Sequence, residues 1–300
     1  MKTLFYLTDP AMREIFLPGV VTGLAIAIMC AALSVLVVLK RLAFVGQGIS
    51  HAAFGGAGVV ATLGWASATG ALSFGAFGVV FGFCLLAALA IGWLSLRGKT
   101  EADTAIGIVL VASMALGAVL LTRAARSHGA SRGVSWESFL FGSMDSITWS
   151  DAMLGWGSTL LVGLTLWAVR RPLVFWAFDP VVARAVGVRE PLMSLIMMAL
   201  LALATVTAMK LAGVVLATAM LVLPGASALL LSRRSTVVLW AALLIALSGV
   251  IGGVVLSFEA DWPTGPSIVV VLSGIFAIAR VVVAIQSRSN RANPQAGALQ

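Results

Sequence analysis

The chain has 300 residues, of which 61% are hydrophobic and only 10% are charged, and its mean hydropathy is +1.09. Water-soluble domains carry about 25% charged residues, so this composition excludes a soluble enzyme and indicates a polytopic membrane protein. The net charge of +8 comes without the solvated basic patch and stacking aromatic residues of a nucleic-acid-binding protein, which excludes that class as well.

Apolar runs close to the roughly 20 residues that cross a bilayer follow one another along the chain. They are too long and too uniformly apolar for the strands of a membrane barrel. We count about nine runs: 16–39, 42–64, 71–96, 104–122, 150–169, 191–209, 211–232, 236–257 and 266–285. Only Lys210 separates the sixth run from the seventh, so one of the two could be a half-span, which would leave eight. The prediction is an all-α bundle of eight or nine transmembrane helices in one domain, 1–285, followed by a polar, disordered tail, 286–300.

Lysine and arginine are enriched in the cytoplasmic loops of membrane proteins. If the nine spans alternate and the C-terminus is cytoplasmic, most of the 19 lysines and arginines lie inside. The segment RAARSHGASR at 123–132 is the exception, because it falls outside. The charge pattern therefore predicts an external N-terminus and a cytoplasmic C-terminus.

An ionisable side chain interrupts the second run, in VGQGISHAAFGGAG at 45–58. His51 lies about 15 Å into a helix that starts near Arg41, close to the bilayer midplane, and Gln47 shares its face four residues earlier. A histidine at that depth usually faces a cavity or a partner. It is therefore either a pore-lining ligand for a zinc, manganese or iron ion, with Gln47 as an oxygen donor, or a packing histidine between helices that the glycines bring close together.

The sequence RGKT at 97–100 resembles the end of a phosphate-binding loop, which needs another glycine five residues before the one in this motif. Trp93 stands at that position, and the segment follows a membrane span rather than a strand. Any ATP-driven function of this chain therefore requires a separate ATPase subunit.

A polar interlude on the predicted cytoplasmic side, FDPVVARAVGVREP at 178–191, has roughly helical length. Asp179 is a suitable cap for a helix that begins at Pro180, and Gly187 would end it. The apolar face of this helix would consist of Val182, Ala185 and Val186. The segment is either a short helix that inserts into a groove of a partner subunit or a linker that lies on the lipid headgroups.

The seventh run contains Pro224 and Gly225, which we expect to break its helix. The result would be either a discontinuous helix beside a pathway or an ordinary proline kink that neighbouring helices tolerate.

Two acidic residues, Glu259 and Asp261, lie in the predicted external loop FEADWPTGP at 258–266. They either attract cations to the outer face or are ordinary solvated loop charges.

Six segments together resemble the permease subunits of zinc/manganese-type ABC importers, the ABC-3 family, from about residue 18 to residue 285. The segments are RLAFVGQGISH at 41–51, TEADTAIGI at 100–108, FLFG at 139–142, FDPVVARAVGV at 178–188, LVLPGA at 221–226 and PTGPSIV at 263–269. Each segment alone is a weak signal, but all six occur in the order of the family.

The resemblance implies that two copies of the chain form the pathway as a homodimer in the bacterial inner membrane. Two ATPase subunits would supply the energy on the cytoplasmic side, and an extracytoplasmic metal-binding protein would deliver the ion. His51 corresponds to a family histidine implicated in the metal path. The segment 178–188 would be the coupling helix that contacts the ATPase. Its residues would include Asp179, Pro180, Val182, Ala183, Arg184, Val186 and Gly187.

Position 47 departs from the family pattern, because the family usually has aspartate four residues before the histidine and this chain has Gln47. An aspartate supplies a negative charge and a hard ligand, whereas an amide offers only a carbonyl oxygen. The departure predicts a weaker ion site at the midplane and puts the identity of the metal in doubt.

We therefore interpret the chain as the membrane-spanning subunit of an ATP-driven importer for a divalent transition metal: zinc, manganese or iron. It would perform no covalent chemistry and bind no cofactor, with the metal as cargo and ATP on the partner subunit. A secondary transporter is one alternative, although no Asp or Glu lies inside a confident span to relay protons. An ABC permease for another small solute, such as a chelated metal, is the other.

Overall fold

The computed structural model describes residues 9–65, 74–97, 101–128, 147–178, 180–185 and 187–292, which are almost entirely helical and contain no strand. The helices are α1 (Pro10–Leu39), α2 (Ala43–Thr62), α3 (Phe74–Arg97), α4 (Ala102–His128), α5 (Trp149–Ala168), α6 (Arg170–Phe178), α7 (Pro180–Ala185), α8 (Glu190–Leu231), α9 (Ser235–Ala260) and α10 (Thr264–Ala292). The all-α prediction is confirmed.

The last helix extends further than the sequence pattern predicts. α10 continues to Ala292, so its last residues, 286–292, overlap the start of the predicted tail. The reason is that QSRSNRA contains no glycine or proline to end the helix. Residues 293–300, the remainder of the predicted tail, lie outside the described residues.

Within the described ranges, seven helical segments are long and apolar enough to span a bilayer alone. They are Phe16–Leu39, Gly75–Ser95, Ala102–Ser127, Glu190–Met209, Gly213–Leu231, Ser235–Ala260 and Thr264–Gln286. α5 and α6 meet at an angle of 77° and together form an eighth candidate span. α2 is less apolar, because its 20 residues include Gln47, His51 and five glycines. Each of the nine predicted runs thus corresponds to a helix or to one half of α8.

α8 is the central helix of the bundle and is broken near its middle. It contacts α1, α2, α3, α5, α9 and α10. Gly213 has φ 79° and ψ 168°, a backbone conformation that glycine adopts without the steric cost a side chain would bring. α8 is therefore a discontinuous helix, and its break lies at Gly213, near the boundary between the sixth and seventh runs.

The prediction that Pro224 and Gly225 break a helix is wrong. The backbone of α8 is helical through both residues, and its non-helical angles occur at Gly213 instead. A Cβ atom on Gly225 would overlap the carbonyl oxygen of Ser34 in α1. The glycine therefore permits a close approach of α1, next to the turn where Pro224 removes one intrahelical hydrogen bond.

α2 and α4 form the most extensive helix pair among the described helices. Their separation is set by small residues: a Cβ on Gly117 would lie 2.8 Å from the carbonyl oxygen of Phe54, and a Cβ on Gly58 would lie 3.0 Å from that of Gly117. Such close approach is how transmembrane helices gain packing energy when lipid offers no hydrophobic driving force. α2 also contacts α3 and α8, and 12 of its 20 residues are buried.

The predicted short helix in the interlude is present as α7. It starts at Pro180, and the N–H of Val188 bonds the carbonyl of Ala183 over 2.9 Å, with Gly187 at φ 80°. This left-handed glycine ends the helix, as the sequence predicts. Asp179, Val186 and the side chains of Pro180 and Arg184 lie outside the described part of the chain.

Replacing Gly117 by Ala should lower the thermal midpoint of the detergent-solubilised protein. The new methyl group would meet the α2 backbone, which cannot move aside as a flexible side chain can, at a cost of about 1–3 kcal/mol. Gly107→Ala is the matched control, because Gly107 lies on the same helix with open space around it. Tryptophan fluorescence during heating measures the thermal midpoints of both variants. Equal midpoints for the two variants would contradict close α2–α4 packing.

Candidate metal path

The two polar residues of α2 lie side by side within the bundle. Gln47 Nε2 is 3.0 Å from His51 Nε2, and both side chains are partly exposed while most of their neighbours on α2 are buried. With its amide nitrogen towards the ring, Gln47 donates this hydrogen bond and the ring nitrogen accepts it. His51 is then a neutral imidazole that carries its proton on Nδ1.

This pair offers few donor atoms to a metal ion. The lone pair on His51 Nε2 becomes available only when the hydrogen bond to Gln47 opens, at a net cost of about 0.5–1.5 kcal/mol. If the amide then turns, its oxygen can serve as a second ligand. Within the described residues no group of three or more His, Cys, Asp or Glu side chains is arranged to hold a metal ion. The geometry therefore suits brief contact with a passing ion better than tight binding.

Among the described residues, no carboxylate lies in the middle of a long helix. In the part of the chain that the structure describes, every Asp and Glu lies in the first or last turns of a helix or just outside one. His51, by contrast, is close to the middle of α2. At the rise of an α-helix it is about 12 Å from the nearer end of α2. An ion beside His51 would have neutral donors and no carboxylate from this region of the chain.

The predicted external acids lie elsewhere. Glu259 is in the last turn of α9, and Asp261 follows as its cap with φ 55°; both side chains are exposed. α9 packs against α1, α8 and α10 and makes no extensive contact with α2. The structure thus does not place these carboxylates beside Gln47 and His51, and their role in attracting cations stays a prediction.

The described residues of α7 differ in how far they are exposed. Ala183 is only 3% exposed, whereas Val181 is 68% and Val182 is 40% exposed. Ala183 therefore packs within its own chain, and the apolar surface that α7 presents outward includes the two valines. α7 lies near the start of α8, which it contacts together with α6.

A cluster that the sequence patterns did not indicate lies at this end of the bundle. Lys40, just after α1, places its Nζ 4.1 Å from the ring centroid of Trp176 in α6. Burial lowers the pKa of Lys40 below its usual value, and the carboxylate of Glu190 at the start of α8 opposes part of that shift. Lys40 and Trp176 are far apart in sequence, and no local pattern could have paired them.

Comparison with known proteins agrees with this architecture. Residues 12–283 match the model of the ABC 3 transport family. The chain is 33% identical to "Manganese transport system membrane protein MntC" of Halalkalibacterium halodurans, over 93% of this chain and 91% of the relative. It is 29% identical to "Probable iron transport system membrane protein" of Haemophilus influenzae, over 94% and 99% of the two chains.

A solved structure has the same fold. "PsaBC from Streptococcus pneumoniae in complex with Fab" superimposes with a TM-score of 0.75 at 24% identity, covering 92% of this chain and 93% of the other. The family model accounts for nearly all of the described helices, including the α2 helix that carries Gln47 and His51. On this basis the chain belongs to the ABC 3 transport family.

Proposed function

We propose that this chain is the membrane-spanning permease of an ATP-driven importer for a divalent transition-metal ion, with manganese or iron as the first candidates. The observation that carries the proposal is the Gln47–His51 pair. It lies near the middle of α2, a helix that is unusually polar for a membrane segment and that neighbouring helices largely cover. Family membership supports the transport role, and the names of the two relatives support the choice of metal.

The chemistry of the pair fits passage of an ion. Imidazole nitrogen suits first-row transition metals, and a carbonyl oxygen suits manganese and ferrous iron. Transport requires that the ion be held strongly enough to enter and weakly enough to leave. One neutral imidazole and one amide, without a carboxylate, favour the weak end of that range.

We propose that the ion passes between two copies of the chain and that the Gln47–His51 face of α2 borders this route. Two such faces would provide up to two imidazoles and two amides. The two copies would rock between outward-open and inward-open arrangements, so that access to the ion alternates between the two sides of the membrane.

The energy would come from a partner. Trp93 stands where a phosphate-binding loop needs glycine, so the proposal places ATP hydrolysis on separate subunits. The outward-facing valines of α7 are the natural contact for such a subunit, since exposed apolar side chains on a short helix suit insertion into a groove. A binding protein outside the membrane would deliver the metal and set much of the specificity.

Replacing His51 by Ala should reduce manganese or iron uptake by the reconstituted transporter on the order of tenfold, because it removes the ring nitrogen from the route. Uptake into vesicles that contain the permease and its ATPase measures this. His128→Ala is the matched control, because it removes the only other histidine of the chain and should leave uptake unchanged. Normal uptake by His51→Ala with normal assembly would assign His51 to packing alone.

Replacing Gln47 by Asp should make the protein retain metal. A carboxylate beside the imidazole adds attraction for a dication and should tighten binding by tenfold or more, to an order of magnitude. Gln47→Asn is the control, since it has the size of aspartate without its charge. Atomic absorption measures the manganese that remains bound to each variant after rapid desalting, and this amount should distinguish Gln47→Asp from Gln47→Asn. Equal retention would mean that position 47 does not face the ion.

Replacing the exposed Val182 by Glu should weaken association with the ATPase, because a charge would be buried in an apolar groove. Val237→Glu is the matched control: Val237 is 48% exposed and lies in the first turn of α9. Co-purification of the ATPase with each variant gives the result. Ala183 is unsuitable for this test, since a charge at a buried position would disturb the permease itself. Full association of Val182→Glu would remove α7 from the interface.

A further inference from the structure

The α1–α2 connection is short and closed by hydrogen bonds. The N–H of Arg41 bonds the carbonyl of Val38 over 3.2 Å, and the N–H of Leu42 bonds that of Val37 over 2.8 Å. Arg41 has φ 56°, so it occupies the left-handed position that glycine usually takes in such a helix end. Only three residues separate the two helices. A displacement of Lys40 is therefore passed directly to the start of α2.

The side chain of Lys40 contacts Trp176 in α6. Its Nζ lies 4.1 Å from the centroid of the indole ring, and the ring is only 5% exposed. An ammonium over an indole face is attracted by its π electrons, and the attraction increases when water is excluded. Trp176 is four residues before Pro180, the first residue of α7. The pair thus connects the segment before α7 to the turn before α2.

A third element meets the pair at the same place. Glu190 begins α8 and acts electrostatically on Lys40, since its carboxylate opposes the effect of burial on the pKa of the ammonium group. α6 also contacts α8 and α1. Lys40 is therefore the charged centre of a junction between the end of α1, α6 and the start of α8.

One hydrogen-bonding group of this junction is unsatisfied. The indole Nε1 of Trp176 is buried without a hydrogen-bond partner among the described residues. A buried donor without an acceptor is unfavourable. A movement of α6 that brought Nε1 to an acceptor would satisfy this donor.

We propose that Lys40 and Trp176 form the joint that transmits movement of α7 to α2, and so to Gln47 and His51. Both are positioning residues: they act on the route through α2 and do not contact the ion. This inference rests on the proposed function, because it assumes that a partner moves α7. It adds a specific mechanical connection between the outward-facing valines and the imidazole.

The test is the number of metal ions transported per ATP hydrolysed by the complete complex in vesicles. Lys40→Met keeps most of the length of the side chain and removes the charge. We expect the complex to assemble and hydrolyse ATP while the ratio falls several-fold, and Lys40→Arg to restore it because arginine also binds an aromatic face. Arg41→Met is the matched control, since Arg41 is exposed on the same turn and should keep the normal ratio.

A double substitution separates a joint from two independent contacts. If Lys40 and Trp176 act together, Lys40→Met with Trp176→Leu should lower the ratio no further than the more severe single change. If Lys40→Met does not assemble, Trp176→Phe decides, because the smaller ring retains the fold with a weaker cation attraction and should give an intermediate ratio.

The outcomes that overturn the inference are distinct from failure of the proposed function. A normal ratio in Lys40→Met, or in Trp176→Phe where Lys40→Met does not assemble, with only a lower thermal midpoint, would reduce the pair to a structural contact and leave the transport function intact. Additive losses in the double variant would also overturn the joint. If the unmodified complex shows no metal uptake linked to ATP hydrolysis, the proposed function fails, and the joint fails with it.

Discussion

The cost of placing polar groups in hydrocarbon is the constraint on which the rest of this structure depends. Gln47, His51 and the five glycines make α2 less apolar than the seven helical segments that could span a bilayer alone. Lipid offers no hydrogen bonds, so such a helix is stable only when other helices cover it. α3, α4 and α8 provide the cover, and the glycines of α2 and α4 let the backbones approach closely enough to replace lipid with protein. The features that look unsuitable for a membrane segment are therefore the ones that assemble the bundle.

The same constraint explains which hydrogen bonds the buried hydroxyl groups form. Most bond a carbonyl of their own helix, as Thr22 does with Pro18 over 2.6 Å. A few join two helices: Thr159 in α5 bonds the carbonyl of Ala25 in α1 over 3.0 Å, and Thr207 bonds Ser158 over 3.2 Å. These bonds satisfy groups that would otherwise be costly in lipid and fix α5 against α1 and α8. The Gln47–His51 bond belongs to the same class, but it joins two side chains that other ligands can separate.

Sequence patterns predicted the parts of this fold that local chemistry controls. The lipid core requires long apolar runs, so the nine runs were visible without tertiary information. Pro180 and Gly187 delimit α7 because both act on the backbone of their own residue. The break in α8 was misplaced because a glycine that needs positive φ, such as Gly213, cannot be told by sequence from one that admits a neighbouring helix, such as Gly225. The contact of Lys40 with Trp176 could not be predicted from the sequence, because it depends on how helices that are far apart in sequence pack together.

Under the proposed function, the lack of carboxylates around His51 among the described residues connects the ion route with the junction at the end of the bundle. A dication next to neutral donors in a medium of low dielectric keeps most of its desolvation cost, so it would remain there only briefly. A short stay leaves little time for affinity to set the direction of transport. Under the proposed function, direction would then depend on which side is open while the ion is present, and the proposed movement of α2 relative to its neighbours would decide this. A weak central site would therefore need the close mechanical control proposed for the contact of Lys40 with Trp176, whereas a strong site would tolerate a looser connection.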